Sequence, residues 1–183
     1  MKIRDADRTR GAILEAAQSV FSSRPYAEAS LKDICARAGA SVALVSRYFG
    51  SKEALFQEAL EAALDVSLIT GVDRRRLGVS LARLFTRSQP GRVNPLPMLV
   101  YASAHSGTRA IALELVHCRV LTPLGHWVGG PDGERLAAQI MAIATGYFTY
   151  RLILPLAPFE TEGDEKIEAW LSDALQSIVD QAG

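Results

Sequence analysis

The chain has 183 residues, 49% of them apolar and 22% charged, a globular balance that excludes a disordered chain, a collagen-like fibre and an acidic tail. Twenty Lys and Arg against twenty Asp and Glu exclude a bulk polycation. The charge is nevertheless uneven: residues 1–52 hold nine basic side chains against five acidic, and residues 53–183 hold 11 against 15, so a basic head on an acidic body turns one end toward a polyanion.

The N-terminus, MKIRDADRTRG, lacks the apolar core of a signal peptide. Cys35 and Cys118 form no CxxC pair and no disulfide framework, which fits a reduced cytoplasm. From there the chain reads as helix after helix, with almost no alternating β-branched runs. The first periodic stretch is about 8–22, where Ile13, Leu14, Ala17, Val20 and Phe21 recur on one face, and Arg24-Pro25 ends it. Ser30 is placed to cap a short helix over 31–37 or 38, with Asp33 at the capping-box position and Gly39 where the helix needs a left-handed terminus. Ser41 caps a second short helix to 47 or 48. Gly50 ends it, and Ser51 opens a long helix over 51–69 with Leu55, Phe56, Ala59, Leu60, Ala63 and Leu64 on its buried stripe. Further helices are expected at 73–88, 95–105, 108–127, 133–154 and 164–181, about nine in all, separated by Pro90, Gly91, Pro95 and Pro97, by Ser106-Gly107, by Gly129-Gly130-Pro131-Asp132-Gly133, and by Pro155, Pro158 and Gly163. The most apolar window, 139–159, is about long enough to span a bilayer, but Arg151 and Pro155 make it a buried helix and not a membrane span.

Two short helices joined by a tight turn at Gly39 form a helix-turn-helix pattern. Leu31, Ile34 and Cys35 would face a small core from the first helix. Leu44 or Val45 would do so from the second, leaving its other face for a DNA major groove. Residues 8–60 resemble the DNA-binding domain of TetR-type transcriptional regulators. The resemblance is carried by Ile13-Leu14-x-Ala16-Ala17, Phe21, Ser30-Leu31-x-Asp33-Ile34, Ala38-Gly39-x-Ser41, Tyr48-Phe49 and Ser51-Lys52-Glu53-x-Leu55. It implies an all-α fold in which a three-helix head over 1–52 is joined by the long helix to a ligand-binding and dimerisation body over 70–183. It also implies a recognition helix from Ser41 to Arg47, phosphate contacts from Tyr48, Lys52 and the helix headed by Ser30, and further contacts from the arm with Lys2, Arg4, Arg8 and Arg10. The sequence departs from the family at Ser46, where Tyr is common, and at Ala40, where Val is common. Ser41, Ser46 and Arg47 remain to hydrogen-bond, Arg47 being the guanine reader, while Val42 and Ala43 can touch thymine methyls. Sparse base readout leaves much of the binding to phosphates and DNA shape.

The body resembles one branch of the same family's C-terminal domains through Glu114-Leu115-Val116, Arg119-Val120-Leu121-x-Pro123-Leu124 and Arg151-Leu152-x-Leu154-Pro155-Leu156. The resemblance implies a homodimer in which the helices at 133–154 and 164–181 pair with their copies, with Ile140, Ala144, Ile167, Trp170, Leu171, Ala174 and Ile178 at the interface. It also implies a pocket for a small, largely apolar effector, for which helix faces suggest Leu84, Phe85, Met98, Tyr101, Leu115, Met141, Thr145 and Phe148. The function expected is a ligand-responsive regulator, a repressor on a pseudo-palindromic operator, with no cofactor, no catalytic residue and no membrane. A protein-interaction module of the same fold is the alternative. A helical-bundle enzyme is argued only by Glu114-x-x-His117, which has no second ExxH to complete a di-iron site, and by the neighbouring His117-Cys118, which point about 100° apart on a helix. Arg74-Arg75-Arg76 read as a solvated helix start, and His117 or His126 as a polar anchor in the pocket at most.

Overall fold

The computed structural model describes residues 2–87 and 93–181, with side chains at all of these except 2–5 and 68. Every regular element among them is helical. In chain order the helices are α1 (Lys2–Ser23), α2 (Leu31–Ala38), α3 (Val42–Phe49), α4 (Lys52–Ala63), α5 (Ser67–Thr70) and α6 (Leu77–Thr86). There follow α7 (Pro95–Ala102), α8 (Ser106–Val116), α9 (Thr122–Val128), α10 (Gly133–Phe148), α11 (Ala157–Glu160) and α12 (Glu165–Asp180). A 3-10 turn (Arg74–Arg76) leads into α6, and π-helical turns follow α8 (His117–Leu121) and α10 (Thr149–Ile153).

The described residues form two compact units. The first takes everything up to Leu64 together with Val93–Leu115; the second takes the described parts of 65–92 and 116–183. The boundary therefore differs from a division into 1–52 and 70–183, because α7 and most of α8 pack with the head. In the first unit α1 is the centre, packed by α2, α4 and α7. Ile13, Ala17, Phe21, Ile34, Val45, Leu55, Phe56, Leu60 and Met98 are buried there to 1% exposure or less. Phe21, Tyr26 and Phe56 meet pairwise at ring-centroid distances of 5.9, 5.3 and 5.6 Å. Such pairs add about 0.5–1.5 kcal/mol each beyond the area they bury. In the second unit α6 lies along α12, and α9 lies against α10.

The local signals behave as their chemistry requires. Ser30, Ser41 and Ser51 cap α2, α3 and α4, accepting from the N–H groups of Asp33 (3.0 Å), Leu44 (3.4 Å) and Ala54 (3.0 Å). Gly39 sits at φ 61°, ψ 33°, the left-handed position that a side chain would disfavour. Asp33 pairs with Arg24 at 3.5 Å.

Three expected helices take a different form. The helix expected to reach residue 69 stops at Ala63, because the Asp65 carboxylate accepts from the Ser67 N–H at 2.9 Å and starts α5 instead. The helix expected over 108–127 is interrupted by the π-helical turn just before Pro123, which has no N–H to give and whose ring crowds the preceding turn. The helix expected over 133–154 is α-helical only to Phe148. It then widens, the Leu154 N–H reaching back to the Thr149 carbonyl at 2.8 Å before Pro155 ends it. Pro90 and Gly91, expected to break the chain, lie outside the described residues.

Candidate nucleic-acid interface

The first unit turns one side of α3 outward. Val45 and Phe49 are buried and Leu44 is half-buried, while Val42, Ala43, Ser46 and Arg47 are exposed. These four positions, spaced i, i+1, i+4 and i+5, make a single stripe on a helix of 3.6 residues per turn. The stripe is apolar at its N-terminal end, where Val42 is 47% exposed. Arg47 stands at the other end and makes no hydrogen bond or ion pair with any described residue, so its five donors are uncommitted. Ser30 and Ser41 are also exposed. Their oxygens are engaged as caps, and their hydroxyl protons remain available. Tyr48 is half-buried, its ring edge-on to Phe49 at 6.4 Å.

Lys52 begins α4. Its Nζ donates to the Tyr26 carbonyl at 2.6 Å and lies 4.1 Å from the centre of the Tyr26 ring. Burial pulls its ammonium below the ordinary lysine value, against the opposing pull of Glu53. Burial, with Glu53 adding to it, pushes the Tyr26 phenol up to about 12.

Of the arm residues, Arg10 is committed to the fold. Its guanidinium pairs with Glu58 and lies 4.9 Å from the centre of the Phe49 ring, tying α1 to α4 and to the end of α3. Arg8 is exposed and takes part in an interaction of its own. The side chains of Lys2 and Arg4 lie outside the described residues. The seating of Lys52 and the commitment of Arg10 escape sequence reasoning, since their partners stand 26 and 48 residues away. One signal pointed to the first: a cation at the start of a helix faces the wrong end of the helix dipole and needs another reason to be there.

The residues suggested for an effector pocket divide between the units. Met98, Tyr101 and Leu115 belong to the first, Met98 fully buried; Leu84, Phe85, Met141, Thr145 and Phe148 belong to the second. Within the second, Phe85 and Phe148 meet edge to face at 5.3 Å. Of the suggested dimer residues, Ile140, Ala144, Leu171 and Ile178 are buried inside the subunit. Trp170 is 50% exposed, and Ile167 and Ala174 are partly exposed.

Arg74 is not a solvated helix start. It donates to the Val128 carbonyl at 2.6 Å and the Val179 carbonyl at 3.0 Å, where a cation suits the C-terminal ends of α9 and α12. His117 and His126 are exposed, and Cys35 is buried in the helix-turn-helix core. Among the described residues no group of three His, Cys, Asp or Glu could hold a metal ion, and no helix is long and apolar enough to cross a membrane.

Comparison with known proteins adds to this geometry. Residues 13–59 match the family described as bacterial regulatory proteins, tetR family, and residues 75–179 match the tetracyclin repressor-like C-terminal domain. No curated protein matches the chain significantly. Among solved structures, Salmonella enterica GusR is 20% identical with a TM-score of 0.68, over 94% of this chain and 95% of that one. A TetR-family regulator from Streptomyces coelicolor A3 is 23% identical with a TM-score of 0.57, over 95% and 96%. A putative TetR-family transcriptional regulator from Mesorhizobium loti is 18% identical with a TM-score of 0.62, over 96% and 95%.

Proposed function

The chain belongs to the tetR family of bacterial regulatory proteins and is a DNA-binding transcriptional regulator; on that premise we propose that it is a repressor released from its operator by a small, largely apolar effector. The observation that carries the DNA-reading part is the outward stripe of α3, with the uncommitted Arg47 at one end and an exposed Val42 at the other. Arg47 suits the O6 and N7 acceptors of a guanine, and Val42 and Ala43 suit thymine methyls. Ser30, Ser41, Ser46, Tyr48 and Lys52 supply the remaining contacts to bases and phosphates. The acting species in this reading is a homodimer, whose two recognition helices meet half-sites about 34–36 Å apart. The effector occupies the helical body; the aromatic pair Phe85 and Phe148 supports an apolar ligand there.

The test is selection of bound fragments from a random DNA pool at near-physiological salt. Enrichment of a pseudo-palindrome is the expected result. Arg47→Ala should then cost about 1–3 kcal/mol of affinity and relax the preference at one base pair per half-site. The exposed apolar Val42 gives some support to a second reading, in which α3 docks on a protein. No enriched motif, together with binding that vanishes at modest salt and ignores Arg47→Ala, would favour that reading instead.

A further inference from the structure

Lys52 occupies a costly place. It is the first residue of α4, where the unpaired N–H groups of the helix already carry positive charge, and Glu53 alone lends it an acid within the same turn. Two features of one residue offset this. The Tyr26 carbonyl accepts from Nζ, and the Tyr26 ring presents its negative face to the same ammonium at 4.1 Å. The ring is itself fixed. Tyr26 is buried and wedged against Phe21 and Phe56, with the His105 imidazole 5.1 Å away at a tilt. The turn that carries His105 is closed by Thr108, whose hydroxyl is within 3.1 Å of the Ala102 carbonyl and 3.2 Å of the His105 carbonyl. The phenol stays neutral at physiological pH, so the contact is a cation against a ring and not an ion pair. An ammonium has three protons, and the carbonyl takes one.

We propose that Tyr26 is a positioning residue for DNA binding, its carbonyl and ring holding the Lys52 ammonium rigidly at the start of α4 so that a phosphate meets a cation already in place. A free lysine loses the freedom of four rotatable bonds when it grips a phosphate. A seated one has lost most of it during folding, and the remaining donors add to the N–H groups of the helix start that a phosphate also favours. This inference rests on the regulator reading above.

The test uses the full chain and one duplex of about 30 base pairs taken from the random-pool selection. Affinity is measured against salt for the parent, Tyr26→Phe, Tyr26→Leu, Lys52→Ala and the double variant Tyr26→Leu/Lys52→Ala. Tyr26→Phe keeps ring and carbonyl and should match the parent. Tyr26→Leu should weaken binding several-fold in the parent background and not at all in the Lys52→Ala background. Lys52→Ala should lower the salt slope by about one. An equal loss from Tyr26→Leu in both backgrounds would overturn the proposal, since it would mean that the ring merely supports the fold. If Tyr26→Leu does not fold, the Lys52 ε-methylene proton shifts decide. Ring current should hold them upfield in the parent and in Tyr26→Phe, free and DNA-bound alike, and their return to ordinary values on binding DNA would also overturn the proposal. Failure of the parent itself to bind any selected duplex would instead remove the regulator reading on which the proposal stands.

Discussion

Arg10 and Arg47 carry the same charge on the same unit, and their surroundings give them opposite work. Arg10 is held by Glu58 and by the face of Phe49, so its removal loosens three helices. Arg10→Ala should lower stability by about 1 kcal/mol, seen as a lower Tm, and leave the salt slope of DNA binding unchanged. A fall of the slope by one with no loss of stability would return Arg10 to the interface. Glu168 in the second unit shows a comparable commitment. The Arg87 guanidinium donates to its carboxylate at 2.9 and 3.1 Å, and that of Arg83 at 3.1 Å. These bonds, that of Arg87 first, hold the carboxyl below its ordinary range against an opposing effect of burial. A carboxylate with a depressed folded pKa contributes stability in full above the unfolded Glu value of about 4.3, and loses it as pH falls through the folded value. Glu168→Gln should therefore destabilise by about 1 kcal/mol at neutral pH, with the gap to the parent closing under acid. A gap independent of pH in urea titrations would show that shape and not charge is at work. At this scale the sequence exposes chemistry and conceals partners: Arg47 is readable because helix spacing alone turns it outward, whereas Glu168 meets arginines 81 and 85 residues away.

Elements are more legible than residue partners, because their signals are local. Serines before α2, α3 and α4 cap where an oxygen is needed, and Gly39 turns at a positive φ that residues with a Cβ disfavour. The failures are local competitions of similar size. The Asp65 carboxylate accepts from the Ser67 N–H in a turn that competes with the continuation of α4, and the last turns before Pro123 and Pro155 take π geometry. What no local signal reports is how closely two helices approach. Gly78 on α6 gives its N–H to Gln176 of α12 at 2.9 Å, and a Cβ there would stand 2.2 Å from the Ser172 carbonyl oxygen. That oxygen belongs to a helix backbone and cannot swing aside. Gly78→Ala should force α6 and α12 apart and cost about 1–3 kcal/mol, although alanine is the better helix former by about 1 kcal/mol. An unchanged or raised Tm would mean that the two helices do not meet as closely as described.

For the whole molecule, a linear division placed the head before residue 53 and the body after 69, yet Val93–Leu115 returns to the head. Hydrophobic periodicity gives a helix its apolar face and does not say which neighbour covers it. The same gap affects the proposed dimer. Of the α12 residues expected at a dimer interface, Leu171 and Ile178 are buried within the subunit together with Leu175 and Val179, where α12 packs against α6. The apolar part of the outward side of α12 is narrower: half-exposed Trp170 with the partly exposed Ile167 and Ala174, among the exposed Ala169, Asp173 and Ser177. On α10 the outward side is Ala138, Ala142 and Gly146, small residues that allow close approach of a second helix. Trp170 is half exposed, its ring centroid 6.2 Å from that of Phe159, and a large ring against small residues is the shape a helix pair needs. Trp170→Glu should thus keep the fold at a small cost in stability, since half of the ring is in water and its described ring contact is with Phe159, and shift the protein to monomer in sedimentation equilibrium. A monomer meets one half-site with half of the phosphate contacts, so the salt slope for the pseudo-palindrome should fall by about half and affinity with it. A Trp170→Glu protein that stays dimeric would place the dimer contact elsewhere on the molecule.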